Sequence, residues 1–138
     1  MHAMRAATFA GLLAAGAVLC SGSALGGLPR SIQGTYTRYF STQDFPRSEE
    51  PFGTYAMRIT ATAVVWTAKG LGVSTEQAKV NGQLLLVRDK LGSLGRLCAV
   101  DAWGSYRYKA RGTKVTFVKV KDPCMVRAEV LAKTWTRK

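Results

Sequence analysis

The chain has 138 residues, of which 47% are hydrophobic, and its 20 Lys and Arg residues against 8 Asp and Glu residues give a net charge of +12. This length allows one domain with a modest core and excludes two. The single histidine, His2, lies in a segment that we expect to be removed, which excludes Ser-His-Asp hydrolysis and most zinc chemistry for the mature protein.

Residues 1–24 have the three parts of a cleavable export signal. Arg5 is the only charged residue, an apolar run follows it, and small residues come next. We expect cleavage near Ala24 and a mature domain over residues 25–138 that is secreted or held in the periplasm or cell envelope. Acylation of Cys20 as a lipoprotein and retention of the segment as an uncleaved anchor are the two alternatives.

The mature part is predicted to be a series of short strands. Tyr55, Met57 and Ile59 alternate with polar residues, which indicates a strand with one buried face. Asn81-Gly82 between two such runs predicts a tight hairpin with a type I′ turn. The proline-containing stretch from 41 to 53 is predicted to be a loop, either a lid or a mobile segment. The predicted strands are 34–40, 55–60, 63–67, 75–80, 83–87, 103–109, 114–120 and 133–137.

The stretch from Cys98 to Cys124 gives the strongest signals. Its first strand places Tyr106 and Tyr108 on one face and basic residues on the other, and a turn glycine then starts the next strand. Asp122 followed by a proline predicts the N-cap of a short helix that runs to Leu131. In an exported protein we expect Cys98 and Cys124 to form a disulfide worth about 3.5 kcal/mol; two unlinked buried thiols are the alternative.

These elements predict an all-β fold, an antiparallel up-and-down barrel of about seven or eight strands with one short helix near the C-terminus. A closed barrel leaves no exposed sheet edge. The last strand should then lie beside the first. We expect Trp135 to bury its ring near Tyr36 or Phe40, and Arg137 to face a carbonyl or an aromatic ring.

The chain also resembles a known family, the bacterial lipocalin-like small β-barrels, over about residues 31–138. The resemblance implies a lipocalin-like antiparallel barrel able to hold a small apolar ligand, and Tyr36 stands where lipocalins carry tryptophan. The motifs that carry the resemblance are Gly34-Thr35-Tyr36, Gly104-Ser105-Tyr106, Asp122-Pro-Cys124-Met-Val-Arg127 and Trp135-Thr-Arg137.

An eight-stranded barrel is just wide enough to be filled by side chains or to hold one small ligand. Both outcomes remain open, because inward aromatic residues at every second position are found in plain cores as well as in ligand sites. The candidates for a ligand-binding lining are Tyr55, Met57, Ile59, Trp66, Tyr106, Tyr108, Val115 and Phe117.

The excess of positive charge suggests a second function, docking on an anionic lipid or polymer of the cell envelope. The basic residues form no dense run and no nucleic-acid motif, so no specific nucleic-acid partner is predicted, and a solvated surface is the alternative. The residues that would carry docking are Arg38, Arg107, Lys109, Arg111, Lys114, Lys119 and Lys121.

A third hypothesis is a barrel enzyme that acts on an apolar substrate by shape. A base would have to be a carboxylate or a tyrosine with a shifted pKa. The candidate acids are Asp44, Glu76, Asp89 and Asp101, which form no recognisable pair in the sequence. No cofactor motif and no metal-ligand spacing is present, so no cofactor is predicted.

Overall fold

The computed structural model describes residues 26–46, 52–70, 72–89, 98 and 102–138. In this part of the chain, eight antiparallel strands close into a barrel in which each strand pairs with the next one and the last pairs with the first. The predicted all-β barrel with one short helix is confirmed. The strands are β1 (Gly34–Phe40), β2 (Gly53–Ile59), β3 (Ala63–Ala68), β4 (Gly72–Asn81), β5 (Leu84–Asp89), β6 (Gly104–Arg111), β7 (Lys114–Lys121) and β8 (Thr134–Arg137), and the helix is α1 (Met125–Leu131).

The position of one predicted turn is wrong. Asn81 pairs with Leu84, so the tight loop consists of Gly82 and Gln83 and not of Asn81 and Gly82. The reason is that the polar Gln83 joins the turn and the apolar run begins at Leu84, while Gly82 supplies a positive φ of 60°. The predicted loop from 41 to 53 contains a 3₁₀ turn at Thr42–Asp44, and its residues 47–51 lie outside the described part.

The helix α1 also begins differently from the prediction. Its N-cap is Cys124 and not Asp122. The Asp122 carboxylate instead accepts the N–H of Cys124 at 2.7 Å, because its other contacts hold it toward the inside of the barrel. The predicted disulfide is confirmed: Cys98 is bonded to Cys124, with the two Cα atoms 4.9 Å apart. Such a bond is characteristic of an oxidising compartment.

One end of the barrel, which we call the base, lies where β1 begins and β8 ends. Leu28 and Ile32 are buried there, and the N–H of Leu28 donates to the carbonyl of Ala61 at 2.7 Å. Arg137 donates to the hydroxyl of Tyr36 at 2.8 Å and lies over its ring, 5.3 Å from the centroid. The expected placement of Arg137 is therefore confirmed, and it ties the last strand to the first.

The opposite end, which we call the helix end, is covered by α1. Val130 and Leu131 enter the barrel core, and Val126 packs with the disulfide. Within the described residues, no helix has the length and apolar character needed to cross a membrane.

Candidate functional site

The eight lining candidates lie inside the barrel, as their alternation predicted. Seven of them are at most 4% exposed and belong to one core cluster, while Tyr108 is half-buried and packs against it. Their rings contact one another and further core residues: the centroids of Phe40 and Tyr55 are 4.6 Å apart, and those of Tyr55 and Trp66 are 6.4 Å apart. The candidates therefore form a packed interior, and their role toward a ligand remains a prediction.

Two cavities lie on the outside of the described part of the barrel. One of about 540 Å³ lies between the side of α1 and the end of β7, and its rim includes Lys119 and Met125. Another of about 330 Å³ lies near the base, beside Gly26 and Lys79. None of the eight lining candidates borders either cavity. These two cavities are therefore formed by other described residues and not by the eight candidates.

A polar cluster lies buried at the helix end. Glu76 and Asp89 are opposite one another in the β4–β5 pair, and both are at most 1% exposed. Ser74, two residues before Glu76 on the same inward face, donates its hydroxyl to Glu76 at 3.2 Å. The sequence-based view that these acids form no pair is wrong, because the hairpin register brings together two carboxylates that are thirteen positions apart.

Arg127, on α1, compensates this negative charge. Its guanidinium makes two hydrogen bonds of 2.8 Å to Asp122, one of 2.9 Å to the carbonyl of Ala102, and an ion pair of 3.4 Å with Glu76. Tyr106 also donates its hydroxyl to Asp122. A Cβ on Gly104 would overlap the Asp122 carboxylate, so a glycine is needed here. The side chain of Arg127 is fully buried.

The cluster shifts the proton affinities of its members. Burial raises the pKa of Glu76 to about 7, and the charge of Asp89 acts in the same direction, while Arg127 opposes them. Burial and the charge of Asp122 raise the pKa of Tyr106. Burial alone would lower the pKa of Arg127, but its hydrogen bonds to Asp122 raise it. The arrangement thus keeps Arg127 charged and lets Glu76 hold a proton near neutral pH.

Folding stability should decrease as the pH rises from about 4.5 to about 7. The unfolded chain releases the Glu76 proton near the ordinary value of 4.5, whereas the folded protein keeps it until about 7. A carboxyl group whose pKa is raised by folding stabilises the fold fully at a pH below its unfolded pKa. This contribution is lost as the pH rises through the folded pKa. Urea unfolding at pH 4.5, 5.5 and 7 should show a loss of about 3 kcal/mol.

Glu76→Gln should abolish this slope. Asp44→Asn is the control: burial alone would raise the pKa of Asp44, but hydrogen bonds from Ser41 and from two cations hold it at about 2. The contribution of Asp44 is therefore lost only below about pH 4 and does not vary over the tested interval. Stability that is constant, or that rises, between pH 4.5 and 7 in the unsubstituted protein would contradict the role given to Glu76.

Six of the seven basic residues predicted to carry docking are exposed on the β6–β7 hairpin. Arg107, Lys109 and Arg111 alternate along β6, and Arg111 is opposite Lys114 on β7. The remaining two, Lys119 and Lys121, lie toward the end of β7.

Arg38 is the exception, and the prediction for it is wrong. It is half-buried on β1, donates to the carbonyl of Thr134 at 3.0 Å, and forms an ion pair with Asp44 at 3.2 Å. Its position between Tyr36 and Phe40 on the inward side of the strand explains this, because alternation turns the side chain toward the barrel edge.

Trp103 lies on the outside of the barrel beside these residues. The Lys79 ammonium is 4.2 Å from the centroid of its ring, and the Arg88 guanidinium is 4.8 Å from it. Arg88 also donates to Gln77 at 2.7 Å, which fixes its orientation. Trp103 is half-buried, whereas Trp66 and Trp135 are at most 4% exposed. The indole is thus held at the surface with two cations over its ring, a site that the sequence did not reveal.

We call the outer side of β4–β7 around Trp103, Arg107 and Lys109 the basic face. Of the acidic residues that the structure describes, Glu76, Asp89 and Asp122 have buried side chains in the polar cluster. Asp44 pairs with Arg38 and Lys133 across the barrel edge. The fifth, Glu129, lies on α1. In the described part of the chain the basic face therefore carries positive charge without an acidic residue among its outward side chains.

In the described ranges, no group of three or more His, Cys, Asp or Glu residues is arranged to hold a metal ion. Comparison with protein-family models, with curated proteins and with solved structures finds no significant match for this chain.

Proposed function

We propose that the protein is an exported lipocalin-like barrel that docks on an anionic surface of the cell envelope through its basic face. The observation that carries the proposal is Trp103 in contact with Lys79 and Arg88, beside the exposed basic residues of β6. The contact of Arg137 with Tyr36 at the base supports the lipocalin-like assignment. Export directed by residues 1–24, followed by their removal, would place this face outside the cytoplasm.

Electrostatics favours such docking. Lys or Arg near an anionic surface contributes about 1 kcal/mol of attraction, and salt screens that attraction within about one Debye length. The three exposed cations of β6 project from one strand face, so they can approach a flat surface together. A half-buried indole with two cations over its ring adds a polarisable, amphipathic contact at the same place.

Binding of a small apolar ligand inside the barrel remains the function that the resemblance implies. Such a ligand would have to displace contacts such as the stacked rings of Phe40 and Phe45, whose centroids are 5.1 Å apart. Docking through the exterior requires no such rearrangement, and for this reason we place it first.

The test uses two exposed arginines on opposite strands of the barrel. Arg107 lies on β6 and Arg58 lies on β2, four strands away in the closed order. Arg107→Glu and Arg58→Glu change the net charge equally. Reversing a charge that touches the surface should cost about 2 kcal/mol, or about 30-fold in affinity, at low salt. Co-sedimentation with anionic vesicles and retention on immobilised dextran sulfate are the measurements.

We expect Arg107→Glu to weaken binding about 30-fold and Arg58→Glu to leave it within about threefold. Equal losses in the two variants would show that only net charge matters, and absence of binding to either material at low salt would reject docking. Fluorescence quenching by an apolar probe tests the interior function. If the probe quenches Trp103→Phe as strongly as the unsubstituted protein, the quenched fluorescence comes from an interior tryptophan such as Trp66, and a ligand in the barrel is supported.

A further inference from the structure

Two exposed valines interrupt the charged surface of β7. Val118 is 58% exposed and Val120 is 49% exposed, and they lie two positions apart on the outer side of the strand. Arg107 is directly opposite Val118, and Lys121 is opposite Ser105. Apolar side chains therefore project from the middle of a cationic surface.

Val118 and Val120 lie near the end of β7, on the side of the strand opposite the buried Val115 and Phe117, and they are exposed in the described structure. β8 pairs with β7 only from Lys114 to Thr116, so the rest of β7 extends beyond its neighbour. A register shift between Ser105 and Tyr106 leaves Val120 without a cross-strand partner in the β6–β7 pair. Both valines thus lie in the part of β7 that extends beyond β8, and Val120 lies at the bulge in the β6–β7 pair.

We propose that this part of β7 contacts an anionic lipid bilayer, with Val118 and Val120 entering the boundary between headgroups and acyl chains while Arg107 and Lys121 bind lipid phosphates. This inference rests on the proposed docking function and names its partner. A polyanion would satisfy the cations but offers the valines no apolar phase. A bilayer offers both, because amphipathic protein surfaces gain from burying apolar area in the interface and from attraction to anionic lipids.

Trp103 supports the choice of a bilayer. Indole rings with one apolar side and a polar edge favour the membrane–water interface. The charged ends of Lys79 and Arg88 lie over this ring, so a bilayer that takes up the indole also meets two cations that can pair with its phosphates. Trp103 directly precedes β6, the strand that pairs with β7, so an interfacial anchor lies next to the pair of strands that displays the valines.

The experiment compares two materials that share negative charge and differ in having an apolar phase. The full mature chain is titrated with vesicles of phosphatidylglycerol and phosphatidylcholine, and separately with dextran sulfate. The variant Val118→Ser with Val120→Ser should bind the vesicles about tenfold more weakly, since two half-exposed valines would lose their apolar burial. Its binding to dextran sulfate should stay within about twofold, because no charge has changed.

Val73→Ser is the matched control, since Val73 is 60% exposed but lies at the start of β4, opposite Thr67 of β3 and away from the residues around Trp103 that define the basic face. It should leave both affinities unchanged. The inference would be overturned if the β7 substitutions weakened binding to vesicles and to dextran sulfate equally, or if they did not weaken binding to vesicles. Dextran sulfate binding without vesicle binding would reject the bilayer and preserve docking, while binding to neither would reject both. Circular dichroism verifies that each variant is folded.

Discussion

Trp135→Ala is expected to lower the free energy of unfolding by about 3–5 kcal/mol, which is the usual cost of removing a fully buried aromatic side chain. The ring is 0% exposed and lies 5.6 Å from the ring of Phe40, measured between centroids. Trp135 is also opposite Val115 in the β7–β8 pair. Trp135 on β8 therefore contacts both neighbouring strands, β1 through Phe40 and β7 through Val115. The sequence predicted this closing role from its place in the last strand.

Trp135→Phe provides the comparison. The indole N–H is buried and finds no acceptor among the described residues, so phenylalanine keeps most of the packing and removes a polar group without a partner. Its cost should be about 1–2 kcal/mol. Denaturant melts of both variants measure these values. An unchanged midpoint for Trp135→Ala would reject the closing role and identify this end of the chain as a candidate ligand site.

Arg127→Met should also cost about 3–5 kcal/mol, because it leaves buried carboxylates without their cation. Methionine preserves much of the length of the side chain, so the loss reports charge compensation more than volume. Asp122 would lose two hydrogen bonds and Glu76 its ion pair. Urea unfolding at pH 7 is the measurement, since lower pH would neutralise part of the cluster.

Lys133→Met is the control for Arg127→Met. Lys133 is 3.3 Å from Asp44 in an ion pair whose side chains are 25% and 18% exposed, and losing such a pair should cost at most about 1 kcal/mol. In an Asp122→Asn background the cost of Arg127→Met should become smaller, because one buried charge has already been removed. Equal costs for Arg127→Met and Lys133→Met would refute the compensating role of Arg127.

The sequence predicted the barrel because its signals are local. Alternation placed Tyr55, Met57 and Ile59 inward, and the turn glycines marked the hairpins; both depend on a few neighbouring residues. The position of each strand in the barrel follows from this order once every hairpin is antiparallel. The Cys98–Cys124 bond was predicted because only two cysteines follow the export segment.

The buried polar cluster could not be predicted because its members come from distant segments. Glu76 and Arg127 are 51 positions apart, and their contact depends on how α1 folds over the end of the barrel. A partial signal was present: Glu76 and Asp89 occupy inward positions of their strands, where a carboxylate needs a compensating partner. The same reasoning applied to Arg38 would have removed it from the exposed basic residues. The contacts of Lys79 and Arg88 with Trp103 had no such signal in the sequence, because these residues come from different strands and meet on the outer surface of the barrel.

The up-and-down order of the barrel has a consequence for how the chain folds. Among the described strands, every pair except β1 with β8 joins neighbours in the sequence, whereas the contact of Tyr36 with Arg137 spans 101 positions. Closing that loop costs about 2 kcal/mol more than closing a short hairpin, which favours its formation last. The N–H of Lys138 lies 2.9 Å from the carbonyl of Thr35. Linking Lys138 to β1 through the residues that precede it, among them the buried Leu28 and Ile32, and opening the chain at Gly82-Gln83 would make β1 and β8 neighbours in the sequence and β4–β5 the distant pair. The order of assembly would then change while the architecture of the barrel stays the same.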